Sequence, residues 1–186
     1  GYKSNLIEKH LAGKNINYVK NKNFLNTNMV ESLMLCKKKL KRGDLLIVYG
    51  DIYFDQKIIN KIKKIKGNII AVNANWLESW TKRYSILRKI KEDAEDLIVS
   101  NGKVISIGGE IGEKLPQFQY MGILKIEQKT FNKLEKFYKK MKNKEISLTN
   151  FINETIKAKI ATYNYSVFKN YWYEIDNISD LKYLKK

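Results

Sequence analysis

Leu45-Leu46-Ile47-Val48-Tyr49-Gly50-Asp51 is an unbroken apolar run that stops abruptly at Gly-Asp. No polar residue alternates with the apolar ones, so the run suits a strand covered on both faces. Strands of that kind belong to α/β sheets flanked by helices, and the acid then emerges at the carboxyl edge. A second strand-like stretch, Trp172-Tyr173-Glu174-Ile175-Asp176, delivers an acid in the same way. Open α/β sheets bind ligands outside the carboxyl ends of their strands. Two carboxylates brought together there suit a hard divalent cation that bridges phosphate oxygens.

The rest of the chain alternates helix and strand signals. Ser4 can cap a helix to His10 or Leu11, with Gly13 to stop it, and Ile16–Val19 reads as a short strand. Asn28 and Glu31 form a capping-box-like pair ahead of the helix face Met29, Leu33, Cys36 and Leu40. Ile58, Ile59, Ile62 and Ile65 mark another helix, and Asn68–Val72 a second buried strand. Helices alternating with apolar strands predict a largely parallel α/β sheet. Asn101-Gly102 between Leu97–Ser100 and Lys103–Ile107 predicts a type I′ hairpin, because both central positions need positive φ. Gln119–Ile126, Ile160–Tyr165 and Tyr171–Ile175 read as strands. Phe131, Leu134, Tyr138 and Met141 share one helical face, and Leu148, Phe151, Ile152 and Ile156 another. A short helix from Ser179 closes the chain. No repeat, linker or domain boundary interrupts it.

At 186 residues the chain can bury one core. No apolar run approaches a membrane span. One cysteine, Cys36, and one histidine, His10, exclude a disulfide framework and a Cys/His zinc site, which fits a reducing cytoplasm. The formal charge of +17 raises nucleic acid as a partner. Yet the only arginines are Arg42, Arg83 and Arg88, and the lysines are interleaved with Asn and Ile throughout. Arginine is the residue suited to bidentate phosphate and base recognition, so a solvated lysine surface is the better reading.

Each acid has a plain alternative. Asp51 can cap a turn, and Asp176 sits beside Asn177 and Asp180, which can form a helix cap. Trp76, Trp80 and Tyr84 beside Lys82 and Arg83 can hold a small phosphorylated or cationic group, or can be ordinary loop packing. Glu92-Asp93-Ala94-Glu95-Asp96 can bind an amine or an ion, or can be a solvated helix end. Gly108-Gly109-Glu110 is too short for a phosphate loop, and no P-loop or GxGxxG pattern occurs.

Taken in order, several segments carry a resemblance. They are Gly1-Tyr2-Lys3, Asn26-Thr27-Asn28-Met29-Val30-Glu31-Ser32-Leu33, Tyr49-Gly50-Asp51-Ile52-Tyr53-Phe54-Asp55, Trp76 with Lys82-Arg83-Tyr84, Glu92-Asp93-Ala94-Glu95, Gln119-Tyr120-Met121-Gly122-Ile123 and Trp172-Tyr173-Glu174-Ile175-Asp176. Over essentially its whole length the chain resembles the sugar-nucleotidyltransferase-like superfamily. The likeness is greatest to small bacterial cytidylyltransferases of the phosphocholine or phosphoglutamine type. The resemblance implies a Rossmann-like, three-layer α/β fold with a mostly parallel mixed sheet and an antiparallel hairpin insertion. It implies transfer of CMP from CTP to a small phosphorylated acceptor, with release of pyrophosphate, in capsule or surface-glycan decoration. Asp51 and Asp176 match the family's metal-binding acids and would hold Mg²⁺. Asn28, Tyr49 and Gly50 would lie on the nucleotide side. Trp76, Trp80, Lys82, Arg83, Tyr84, Glu92, Glu95, Tyr120, Trp172 and Glu174 would line the acceptor side.

The chain departs from the family at its start. The family opens with a strand and a loop of the form Leu-Ala-Ala-Gly-x-Gly-x-Arg, which holds the triphosphate, and nothing like it occurs here. The expectation is a single nucleotidyltransferase domain, residues 1–186, without its N-terminal nucleotide loop, folding poorly and inactive by itself. Phosphocholine would call on the aromatic residues, and an amino-acid phosphate on Lys82, Arg83, Glu92 and Glu95. The competing readings are a sugar-1-phosphate transferase using UTP or dTTP, a non-catalytic remnant, and a basic nucleic-acid-binding module.

Overall fold

A computed structural model of the chain describes residues 1–40 and 43–184. The first half contains α1 (Ser4–His10), α2 (Met29–Leu35), β1 (Leu45–Val48), β2 (Ile52–Phe54), α3 (Lys57–Lys64), β3 (Ile69–Asn73), α4 (Trp76–Arg83) and α5 (Leu87–Asp93). The second contains β4 (Leu97–Ser100), β5 (Lys103–Ile107), β6 (Gln119–Ile126), α6 (Gln128–Lys140), α7 (Leu148–Lys157), β7 (Asn164–Phe168) and β8 (Trp172–Glu174). Short 3₁₀ helices cover Cys36–Lys39 and Ile178–Leu184, and the last residues of the expected final helix lie outside the described residues.

The main sheet has the order β1-β6-β3-β7-β5-β4, and β2 pairs with β8 in a separate ribbon. β6 is antiparallel to both β1 and β3, so β1, β3 and β7 run one way and β6 the other. The fold is mixed α/β as expected. The expectation of a mostly parallel sheet holds only for the direction of those three strands. In pairing, β3 and β7 are the parallel neighbours, because β6 lies between β1 and β3 and β5 joins through one antiparallel pair, Lys103 with Asn164.

Side-chain alternation explains the three layers. Ile70 and Val72 of β3, with Tyr120, Leu124 and Ile126 of β6, pack against Phe131, Leu134, Phe151 and Ile152 of α6 and α7. Ala71, Met121 and Ile123 point to the other face, against Ile58 and Ile62 of α3 and Trp76 and Trp80 of α4. β3 is buried at every residue, as its uninterrupted apolar run requires. On α3 the buried residues are Ile58, Ile59 and Ile62, while Lys57, Asn60, Lys61, Lys63 and Lys64 face solvent. Each fully buried isoleucine contributes roughly 1.5–3 kcal/mol. Lys61, Lys63 and Lys64, in the last turn, also suit the negative end of the helix dipole.

Local chemistry sets the boundaries. Asn28 caps α2, its Oδ1 accepting from the Met29 N–H at 2.7 Å. Ser147 caps α7 through the Asn150 N–H at 3.2 Å. Asn101 and Gly102 have φ of 48° and 75°, the left-handed pair that a type I′ hairpin requires. Other expectations need correction. Ser4 is the first helical residue, and Lys3 precedes it with φ 48° and no side-chain cap. Ile16–Val19 is not a strand, because no strand lies beside it among the described residues. β7 starts at Asn164 rather than Ile160, because Lys159, Ile160 and Ala161 donate back to the last carbonyls of α7. Trp76–Arg83 is a helix and not a loop. No helix among the described residues is long and apolar enough to cross a membrane.

Gly122 interrupts β6 with φ 70°, and the β3–β6 register shifts beside it. The Tyr49 N–H donates to the Gly122 carbonyl at 2.9 Å. A Cβ on Gly122 would fall 2.9 Å from Cγ of Tyr49. Gly122→Ala should therefore lose about 1–2 kcal/mol from the left-handed backbone alone and also displace Tyr49. Urea unfolding should show the lowered midpoint.

Candidate active site

The two acids are delivered by the ribbon. β1 leads through Tyr49 and Gly50 to Asp51 and straight into β2, while β7 leads through a short loop into β8. In the antiparallel ribbon Ile52 faces Glu174 and Phe54 faces Trp172. Asp51 therefore lies opposite Ile175, whose N–H donates to the Asp51 carbonyl at 2.8 Å. Asp176 follows directly. Asp51 is exposed, and the Asp176 side chain keeps 47% of its accessible surface.

Glu174 shows how acidic this ribbon end is. Its carboxyl is pushed up to about 8, first by burial, then by the negative charges of Asp176, Asp93 and Asp51, with Arg83 opposing. Among the described residues no three His, Cys, Asp or Glu side chains are arranged as a metal cage. Mg²⁺ rarely needs one, since it is usually held by one or two carboxylates, with water and substrate phosphates completing its shell. The excess of acid and the accessible pair Asp51 and Asp176 fit that donor set.

Arg83 lies behind Asp176. Its guanidinium is paired with Asp176 and lies 3.4 Å from Asp180 and 3.5 Å from Asp93. Asp180 in turn accepts from the backbone N–H groups of Asp176 and Asn177 at 3.0 and 3.1 Å. The cap expected from Asn177 and Asp180 thus exists and fixes the backbone under Asp176. Arg83 is turned inward, its side chain 6% exposed. Trp76, Trp80 and Trp172 are each 1–2% exposed, and Trp172 stacks on Trp80 at 5.2 Å. They form the core beneath the ribbon instead of an open aromatic cage. Tyr84 is half-buried, its hydroxyl donating to Asp93 at 3.0 Å. Lys82 pairs with Glu78 one helical turn away.

Asp51 lines one hollow, and Asp93, a partner of Arg83, lines another. The smaller, about 270 Å³, is lined by Met29, Leu33, Ile47, Val48, Tyr49, Gly50, Asp51 and Leu148. It brings Tyr49 and Gly50 together with the helix that Asn28 caps. The buried Tyr120 ring meets Tyr49 edge-on at 5.7 Å. The second is a cleft of about 660 Å³ between α5, the exit of β5 and the start of α7. Glu92, Asp93, Glu95 and Glu110 line it with Arg88 and Lys91.

No protein-family model and no curated protein matches this sequence. Solved structures do match its fold. An inositol-1-phosphate CTP transferase from T. maritima superposes with a TM-score of 0.68 at 16% identity, over 95% of this chain and 67% of that one. A CTP:phosphocholine cytidylyltransferase from Streptococcus pneumoniae gives 0.68 at 17% identity, over 100% of this chain and 74% of that one. A Bacillus anthracis protein described as a glucose-1-phosphate thymidylyltransferase gives 0.70 at 15% identity, over 96% and 69%. The chain shares the fold of these nucleotidyltransferases.

Within this fold, two contacts near the ribbon and the cleft could not be read from the sequence. Asp93 was one acid in a run, and nothing in its spacing showed that it reaches Arg83. The Gln119 side-chain amide pairs with both the N–H and the carbonyl of Glu95 at 3.1 Å, substituting for a neighbouring strand. Glu95 accepts from the Thr149 hydroxyl at 2.8 Å, while burial raises its carboxyl above the ordinary glutamate value. A raised folded-state value means stability that is fully present below the ordinary value of 4.5 and is lost as pH rises toward the raised one. Glu95→Gln keeps an acceptor for Thr149 and cannot ionise. Relative to Glu95→Gln, the native chain should lose stability progressively as pH rises from 4.5 to the raised value, and no further above it. Urea midpoints at acidic and alkaline pH should show the gap widening.

Proposed function

We propose that the chain is the metal- and acceptor-binding part of a Mg²⁺-dependent nucleotidyltransferase. It moves CMP from CTP to a small phosphorylated acceptor and releases pyrophosphate. The observation that carries this reading is the ribbon end that sets Asp51 beside Ile175 and Asp176 in a fold shared with CTP-using transferases.

A phosphate oxygen of the acceptor attacks the α-phosphorus of CTP in line, and the bond from that phosphorus to the pyrophosphate oxygen breaks. The attacking phosphate is already ionised at neutral pH, so no general base is needed and the single His10 is no obstacle. Asp51 and Asp176 would hold Mg²⁺, which when bound neutralises charge on the transferring phosphoryl group. Tyr49, Gly50 and the α2 end at Asn28 shape the nucleotide side. The acidic cleft at Glu92 and Glu95 takes a cationic end of the acceptor, which favours a zwitterion such as phosphocholine or phosphoglutamine. Because the three indoles are buried, charge rather than an aromatic cage selects it.

β1 is an edge strand whose outer side carries no strand among the described residues. A further strand bearing a triphosphate loop would pair there, and the enzyme would work in the cytoplasm where CTP is found. A sugar-1-phosphate acceptor with UTP or dTTP is the second reading, supported by the thymidylyltransferase-like match.

The test is pyrophosphate release by the enzyme complete with its triphosphate loop, with CTP, UTP and dTTP offered against zwitterionic and sugar phosphates. CTP with a zwitterion should be preferred, and Asp51→Ala should lower turnover about a thousandfold, since metal stabilisation is worth several kcal/mol. Turnover that survives Asp51→Ala would refute the assignment. Nucleic-acid binding that falls steeply with salt, without pyrophosphate release, would replace it.

A further inference from the structure

Among the described residues, Arg83 is the guanidinium placed between Asp93, Asp176 and Asp180, and its surroundings are built to keep it still. Its side chain is 6% exposed. It lies 5.6 Å from the ring of Trp80 and 5.3 Å from that of Tyr84. Asp93 holds one end nitrogen at 3.5 Å, while Asp176 and Asp180 share the other. Asp180 is itself 4% exposed and accepts from the Asp176 and Asn177 N–H groups, so backbone and side chain at Asp176 are fixed from the same point. Only Oδ2 of Asp176 is engaged in these contacts, and the side chain remains 47% accessible.

We propose that Arg83 is a positioning residue: it aims the Asp176 carboxylate, clamping one oxygen so that the other is presented toward Asp51 for a divalent cation. The inference rests on the reading of Asp176 as a metal ligand. A planar guanidinium can reach three carboxylates at fixed angles, whereas a lysine ammonium on a flexible stem cannot. Partners behind a metal ligand commonly set its affinity by ten- to a hundredfold. The role also accounts for an arginine at this position in a chain whose positive charge is otherwise almost all lysine.

Arg83→Lys separates aim from charge, because the positive charge stays while the three-way contact is lost. Mn²⁺ is titrated into the chain and its variants, and free Mn²⁺ is read by electron paramagnetic resonance. Near-UV circular dichroism of the buried indoles reports the fold. Arg83→Lys should bind Mn²⁺ about tenfold more weakly with an unchanged indole spectrum. The double variant Arg83→Lys/Asp176→Asn should bind no more weakly than Asp176→Asn, since Arg83 acts through Asp176. Unchanged or tighter binding by Arg83→Lys overturns the proposal, as does a further loss in the double variant. If Arg83→Lys does not fold, Asp93→Asn loosens the same guanidinium at a more exposed partner. It should weaken binding several-fold, and unchanged affinity counts against the role. Mn²⁺ binding indifferent to both Asp51→Asn and Asp176→Asn would instead remove the metal reading, and the positioning role with it.

Discussion

The architecture depends on the direction of β6. By running against both β1 and β3, it lets those strands point the same way, so their carboxyl ends open onto one edge with that of β7. β6 is buried at nearly every residue and feeds both helical layers. Its break at Gly122 is the concession that makes room for the Tyr49 ring, one residue before the Gly50-Asp51 exit. Core packing and the placement of the first acid are thus one geometric problem with one solution.

Charge is distributed with equal economy. Lysines coat the helices, while Asp51, Asp93, Glu95, Glu174, Asp176 and Asp180 collect around the ribbon and the cleft beside it. A positive surface of this kind attracts anions through a field that works at a distance. A local acidic end can then hold a cation that the distant field would repel. Arg83 reconciles the two, compensating Asp180, which is too buried to be left unpaired, together with the more exposed Asp93 and Asp176.

The sequence disclosed the parts of the fold that depend on periodicity and turn chemistry. β3, the Asn101-Gly102 hairpin and the stripes of α6 and α7 follow from side chains that have one place to go. It did not disclose pairing direction, because β1 and β6 are apolar runs whose composition carries no arrow. Trp76–Arg83 offered either a binding group or loop packing, because its indoles stand beside charged residues, yet burial of both rings in a helical face makes them core. Asp51 and Asp176 were visible as acids closing strand-like runs, and the ribbon does set their backbones side by side. Their joint use of a metal remains the functional proposal. The inward turn of Arg83 was invisible, since it depends on Asp93, Asp176 and Asp180 meeting in space from separate elements.

The ribbon has a consequence for biosynthesis. Ile52 and its partner Glu174 lie far apart in the sequence, so β2 must wait unpaired while everything between them is made. Contacts so distant in sequence form late, because closing a long loop costs entropy before any contact repays it. On the ribosome, the helices and the central sheet can collapse while the acidic end is still half a site. Only once β8 has left the exit tunnel can its ribbon partner be joined, so Asp51 and Asp176 become neighbours late, after the rest of the sheet has formed.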